Sequence, residues 1–362
     1  MKNLLFWINF QSNKNQITYP ETVNRIIQIG EKLHNKDYLG YDVSINNPIA
    51  EISTVLSLSL VGWLNLYKLT NNEEYLENAN YCIIKLLKSQ NKNGSWLFPY
   101  FFRKNPANYS YACENFMTIR PLFFALEFPI NHRDLVIESI RKNIDFLLKD
   151  IGYKKGIFWY SANDKIEVPN ISSMAANVFS KASVLFDQKE YFYLAIDFAE
   201  YCIDQQLENG GYSYFSNDKM VYIPYHALEI WELFEANNIL NKIEIEKSIN
   251  FAINYLSQYF LNHGYQSRYP HKKISQSILF KTYIWAAKAF ILTNHFEIGF
   301  DNFFNGLRKF SLPGDNFFYL IREFDLKLFT ISIPFFKTQY IRYHASLFET
   351  GTFLLLKWKD NL

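Results

Sequence analysis

The sequence predicts an all-α fold: an (α/α)6 toroid of six helical hairpins, with an inner ring of helices around a central cavity. Three observations predict it. A glycine-aromatic unit repeats along the chain, the helical segments between its copies alternate in character, and strand signals are weak. The copies read Asp37-Tyr-Leu-Gly-Tyr41, Asn93-Gly-Ser-Trp96, Lys155-Gly-Ile-Phe-Trp-Tyr160, Asn209-Gly-Gly-Tyr-Ser-Tyr214 and His263-Gly-Tyr265. Their glycines, Gly40, Gly94, Gly156, Gly210 and Gly264, are 54, 62, 54 and 54 residues apart. A degraded sixth copy, Pro313-Gly-Asp-Asn-Phe-Phe-Tyr319, lies 50 residues on. Two copies align closely: Tyr75, Ala79, Gln90, Gly94 and Trp96 match Tyr191, Ala195, Gln206, Gly210 and Tyr212 at a constant offset of 116. A glycine after a helix suits a left-handed C-cap, so each unit also has a purely structural reading as a corner.

Between the corners the segments fall into pairs. The first of each pair is amphipathic and charged, at 21–34, 73–90, 133–151, 189–207, 241–261 and 295–310. A helix with one polar face lies on the outside. The second is apolar on most sides and is expected inside, at 48–68, 114–128, 170–186, 223–236, 276–293 and 338–357. Asn47-Pro48 supplies an N-cap and an N1 proline for the first inner helix, and Pro169-Asn170 sets up a cap for the third. One short hairpin is expected near 315–336, and one domain spans 1–362. In this geometry every corner joins an outer helix to an inner one, so all corners gather at one end, around the mouth of the cavity. Loops there would carry the site.

Composition limits the function classes. The chain has 362 residues, 49% of them hydrophobic, and a formal charge of +2 with both signs interspersed. Nothing points to nucleic acid, and no apolar run is long enough to span a membrane. Aromatic residues reach 19%, as a sugar- or lipid-lined cleft would need. Cys82, Cys113 and Cys202 show neither metal-ligand spacing nor an even count, which fits a reducing compartment. The short apolar start lacks a cleavage site, so a cytoplasmic protein is expected. No metal or cofactor is expected: P-loop, GxGxxG, GxSxG, HExxH and paired-aspartate diphosphate motifs are all missing from the sequence.

Polar residues on otherwise apolar inner helices are the candidates for chemistry. His226 and Glu229, at i and i+3, share a helix face, so the carboxylate could orient the imidazole. Tyr225 flanks them, and Arg342-Tyr343-His344 opens the last inner helix. Glu114 lies on the second inner helix, six residues before Arg120. Trp159, Tyr160, Tyr214 and Tyr265 are candidate stacking platforms, with Arg103, Arg268 and Asn177 as polar contacts; arginine would suit the carboxylate of an acidic sugar. Each has a bland alternative: a core histidine satisfied by a carbonyl, a solvated helix start, an exposed basic loop.

Gln90-Asn-Lys-Asn-Gly-Ser-Trp96, with Tyr75 before it, resembles the QW-type repeat of squalene cyclases and prenyltransferases, a structural repeat of α/α toroids. Asn209-Gly-Gly-Tyr-Ser-Tyr214 followed by Tyr225-His-Ala-Leu-Glu-Ile-Trp231 resembles a segment of six-hairpin toroids that act on carbohydrates. These comprise polysaccharide lyases, glycoside hydrolases, sugar epimerases and toroids found with bacterial capsule and exopolysaccharide synthesis. The resemblance implies the same fold and a saccharide substrate, with loose counterparts of their Asn/His/Tyr/Arg sets and paired histidines in Tyr225, His226, Arg342, Tyr343 and His344. The expected function is acid/base chemistry on an acidic sugar or polysaccharide, of lyase or epimerase type, in bacterial cell-surface polysaccharide metabolism. Hydrolysis would need two carboxylates, for which Glu114 and Glu229 are the available pair. A glycan- or partner-binding toroid without catalysis is the alternative, and an isoprenoid-handling toroid a weaker one.

Overall fold

A computed structural model describes residues 19–40, 48–216, 219–263, 275–312, 316–325, 330–338 and 341–360. Among these, twelve helices form six consecutive pairs. The first three pairs are α1 (Tyr19–Asn35) with α2 (Ser53–Thr70), α3 (Glu73–Ser89) with α4 (Ala112–Ala125), and α5 (Arg133–Phe146) with α6 (Pro169–Phe186). The last three are α7 (Lys189–Asp204) with α8 (Ile223–Leu240), α9 (Ile243–His263) with α10 (Phe280–Leu292), and α11 (Phe296–Phe310) with α12 (Ile341–Asp360). The even-numbered helices pack side by side in the order α2, α4, α6, α8, α10, α12, and α12 returns to α2, which closes the ring. Hydrophobic pattern decides which helix goes where. The outer helix α3 buries a stripe at Leu76, Ala79, Asn80, Ile83 and Leu86, the spacing of one helical face. The inner helix α6 buries nearly its whole first three turns, from Pro169 to Ser180.

The corner glycines are needed for close approach between repeats, not as helix caps. Gly94 and Gly210 lie several residues beyond the outer helices, in turns where their N–H groups donate to Asn91 O (2.9 Å) and Leu207 O (2.8 Å). Both have positive φ, and a Cβ on Gly94 would sit 2.2 Å from the carbonyl oxygen of Lys142 in the next outer helix; on Gly210 it would sit 2.5 Å from that of Phe251. Gln90 and Gln206 secure the same contact. Each side-chain amide donates to its corner glycine's carbonyl and to a carbonyl of the next outer helix, Ser139 or Ser248. The left-handed caps instead end inner helices, at Asn71, Asp187 and Asn241, residue types that tolerate this conformation. The longer 62-residue spacing before Gly156 is taken up mainly by the loop 95–111 ahead of α4, which is longer than the loop 211–222 ahead of α8, and by a π turn at Leu147–Ile151; Gly156 itself sits in a hairpin of β3 (Tyr153–Lys154) and β4 (Ile157–Phe158).

Two expected helix starts are displaced by strands. The first inner helix begins at Ser53, not near Pro48, because Ala50–Glu51 (β2) pairs with Leu39–Gly40 (β1). The fifth begins at Phe280 because Ser275–Leu279 forms β5. The expected short hairpin is part of a four-stranded antiparallel sheet: β7 (Asn316–Asp325) pairs with β5, with β6 (Ser311–Leu312) and with β8 (Thr330–Thr338). The corner at Gly264 and the residues 313–315 lie outside the described residues.

Candidate active site

The first turns of the inner helices surround a cavity of about 450 Å³ at the corner end of the ring. Its polar centre is built on Glu114, in the first turn of α4 and only 2% exposed. The Glu114 carboxylate accepts from Ser53 Oγ (3.0 Å), Thr54 N–H (3.1 Å) and the Thr54 hydroxyl, so it caps the N-terminus of α2 from the neighbouring repeat. Its other oxygen faces Arg342 Nη2 at 3.3 Å. The Arg342 guanidinium in turn lies over the Phe98 ring, 5.2 Å from its centroid. Three helices thus place one charge pair: α2 supplies donors, α4 the carboxylate and α12 the cation.

Aromatic rings form the walls. Tyr214 and Tyr225 stack at 5.2 Å with 11° between planes. Lys281, only 9% exposed, holds its ammonium 4.4 Å from the Tyr225 ring, 5.0 Å from Trp285 and 5.4 Å from Tyr222. Across the cavity the Arg103 guanidinium lies 5.0 Å over Tyr160 and 3.6 Å from Asp164. Burial, with Cys113 beside it, pushes the Tyr160 phenol well above its ordinary range, so it is a donor and not a base. Burial likewise pushes the Cys113 thiol up to about 11, which removes it as a nucleophile near neutral pH.

About two turns deeper the ring is closed by ions. Arg120 pairs with Glu232, whose second oxygen accepts from Asn177 at 2.5 Å. Lys181 pairs with Glu235 at 2.6 Å, and Lys288 with Glu349 at 2.5 Å. Burial alone would raise the Glu235 carboxyl, but Lys181, Lys288 and Arg120 outweigh it and hold it well below the usual carboxylate range. Three cations and three carboxylates balance, which is how a buried layer of charge is tolerated. The cavity is therefore a blind pocket whose bottom is lined by Leu58, Met117, Met174 and Leu228, with the ionic layer as a floor beneath them.

Of the residues the sequence put forward, Glu114, Arg103, Tyr160, Tyr214, Tyr225, Arg342 and Tyr343 line this cavity together. His344 does not line it, and Trp159 pairs with Glu167 and receives the Lys165 ammonium on its ring instead. Asn177 belongs to the floor. Tyr265 and Arg268 lie outside the described residues.

His226 requires correction as a catalytic base. It is 1% exposed and both ring nitrogens are engaged: Tyr212 N–H donates to Nδ1 at 3.1 Å, and Nε2 meets Ala252 O at 3.1 Å. Burial lowers its pKa to about 4. The same task recurs in the preceding repeats. The residue two after each corner glycine donates its N–H to the fourth residue of the next inner helix: Trp96 to Asn115, Phe158 to Ser172, Tyr212 to His226. His226 is a corner latch, and Tyr225 beside it is the residue that faces the cavity. Glu229 neither orients the imidazole nor pairs with Glu114 across the cavity. It lies behind the wall near Tyr201, Cys202 and Tyr212, and burial holds its carboxyl well above the usual range, hence neutral.

A direct test follows from the latch. His226→Ala leaves the Tyr212 N–H buried without a partner and takes a second donor from the Ala252 carbonyl, which stays in the ladder of α9, at an expected cost of about 2–4 kcal/mol. His226→Asn, which copies Asn115, should restore at least half of it. Between pH 6.5 and about 4 the unfolded chain binds a proton at His226 that the folded chain refuses, so stability falls with acidification. That loss is on the order of 3 kcal/mol, and it should be missing from His226→Asn in denaturant titrations across this range.

Lys281, Trp285 and Phe98 escaped the sequence reading. Lys281 had a visible signal, a lone lysine in the apolar run Ile278-Leu-Phe-Lys-Thr-Tyr-Ile-Trp285.

No family model matches the sequence, and no curated protein shows a significant match. The architecture and its mouth-end cavity are those of an (α/α)6 toroid, and solved structures share it over nearly the whole chain. Cellobiose 2-epimerase from Bacillus thermoamylovorans B4167 superposes with a TM-score of 0.68 at 10% identity, covering 95% of this chain and 99% of the epimerase. Unsaturated glucuronyl hydrolase from Bacillus sp. GL1, responsible for the degradation of glycosaminoglycan, gives 0.67 at 9%, covering 93% and 97%. A D-mannose isomerase gives 0.64 at 10%, covering 93% and 98%. No described helix is long and apolar enough to cross a membrane. No group of three or more His, Cys, Asp and Glu that could hold a metal occurs among the described residues.

Proposed function

We propose that this cavity takes a short acidic saccharide and moves a proton at the carbon beside its carboxylate, the chemistry of a lyase or epimerase. The observation that carries the reading is the Glu114–Arg342 pair set among aromatic walls: an arginine fixed in a blind, aromatic pocket is suited to a sugar carboxylate. Arg342 binds the carboxylate and stabilises the enolate that forms from it. Tyr225 takes the α proton and Tyr343 returns one, to the opposite face in an epimerase or to the leaving oxygen in a lyase. Tyr214 and Tyr160 stack on the sugar rings, and Arg103 orients them. Hydrolysis by paired carboxylates is the weaker reading, since Glu114 is the one carboxylate among the described lining residues. The three cysteines are unbridged, which supports a reducing compartment and hence a cytoplasmic role in cell-surface polysaccharide metabolism. The unsaturated glucuronyl hydrolase and the epimerase among the similar structures support a saccharide ligand.

The test is incubation with a panel of uronate-containing glycans in deuterated water. Deuterium at the α carbon reports proton transfer, and ultraviolet absorbance of an unsaturated product separates elimination from epimerisation. Binding without exchange on every bound glycan would favour a binding-only toroid. Failure to bind any of them would sink both readings.

A further inference from the structure

Lys281 and Arg342 occupy equivalent places. Each is the second residue of an inner helix, α10 and α12, and these helices are neighbours in the ring. Their starts are tied to one sheet. β5 runs directly into α10 and β8 precedes α12, and both strands pair with β7, one on each side. Two strand spacings set β5 and β8 about 9–10 Å apart. That agrees with the roughly 8–10 Å between the axes of packed helices. The equal depth of the two cations is set by the helices themselves: Trp285 and Ser346, each four residues past a cation, are hydrogen-bonded, and Lys288 and Glu349, each seven past, are ion-paired. Their side chains are held as well: Arg342 by Glu114 and Phe98, Lys281 by Tyr222, Tyr225 and Trp285. Trp285 bridges the two helices through Nε1–H to Ser346 Oγ at 3.0 Å. Rotamer entropy that a lysine normally loses on binding an anion is already spent here in folding.

We propose that the cavity reads two acidic groups on one saccharide, with the sugar carboxylate on Arg342 and a second carboxylate or sulfate, on the linked ring, on Lys281. This rests on the reading of the cavity as an acidic-sugar site. Groups on adjacent carbons of one ring lie closer together than the helix spacing, whereas groups on linked rings match it. The aromatic ring stack of Tyr214 and Tyr225 lies against Lys281 and gives the linked ring its platform. Lys281 is thus a specificity-determining residue that selects a dianionic over a monoanionic disaccharide.

Calorimetric titration tests this with three disaccharides of one backbone: neutral, bearing one uronate carboxylate, and bearing that carboxylate with a sulfate or second carboxylate on the linked ring. The dianion should bind roughly 10- to 100-fold more tightly than the monoanion, the difference one charge-assisted hydrogen bond makes. Its affinity should also fall more steeply with added salt. Lys281→Met should bring the two affinities within about threefold of each other, and Lys281→Arg should keep them apart. Equal binding of monoanion and dianion by the wild-type protein overturns the proposal and leaves the acidic-sugar reading intact. A folded Lys281→Met that keeps the full preference overturns it too. Should Lys281→Met not fold, Lys281→Gln and the wild-type salt dependence decide on the same criteria. If neither charged disaccharide binds better than the neutral one, the acidic-sugar reading falls and takes this proposal with it.

Discussion

We expect Glu232→Ala to lose about 3–5 kcal/mol of stability, the cost of stranding a buried charge whose partner has been removed. Glu232 is 1% exposed and its carboxylate has three partners: Arg120, the indole N–H of Trp231 at 2.8 Å, and Asn177. Without it the Arg120 guanidinium faces only the Trp231 ring, 5.5 Å away, and the more distant acids of the floor. A cation-π contact contributes on the order of 2 kcal/mol when desolvated, too little to offset burial of a guanidinium. The double substitution Glu232→Leu with Arg120→Met should recover most of the loss, because it removes both charges and keeps the volume. Denaturant unfolding of the two variants checks this. Equal destabilisation of single and double variants would show that packing, not charge, holds the floor together.

Much of this fold was legible because it is repeated. The Gly94–Gly210 correspondence marked real equivalence, down to Gln90 and Gln206 making matching pairs of hydrogen bonds. The glycine's physical role was misread, since close approach of the next outer helix is a contact between repeats that no local pattern displays. The site was legible in part for a related reason. Residues in the first turn of an inner helix could be placed at the mouth, and Glu114, Tyr225, Arg342 and Tyr343 are there together. Which of two adjacent residues faces inward could not be read. An inner helix is buried on every side, so its apolar pattern has no phase; Tyr225 and His226 were indistinguishable until the corner backbone claimed one. The strand β5 was hidden by its continuity with the apolar start of α10, and the helix-to-helix contacts that set Lys281 level with Arg342 leave no trace in a local pattern.

Tyr225→Phe should lower turnover by roughly 10²–10⁴-fold on any saccharide that the wild-type protein converts, with a far smaller effect on binding. The substitution removes one oxygen and leaves the ring, so the stack on Tyr214 and the Lys281 contact persist. Fold and platform are therefore preserved, and a loss of rate reports the proton-transfer step itself. Arg342→Lys should behave differently. It keeps the charge but loses the planar fork that matches a carboxylate, so both affinity and rate should fall. Tyr214→Phe, which alters the platform and not the proposed base, should leave turnover within about tenfold of wild type. The comparison is decisive because Tyr214 and Tyr225 are neighbouring phenols in one stack, and only the second is asked to move a proton. If Tyr225→Phe converts substrate at a near-normal rate while Tyr214→Phe does not, the base has been assigned to the wrong ring. If both variants turn over normally, the proton is taken by a group other than these phenols, and the aromatic stack serves binding alone.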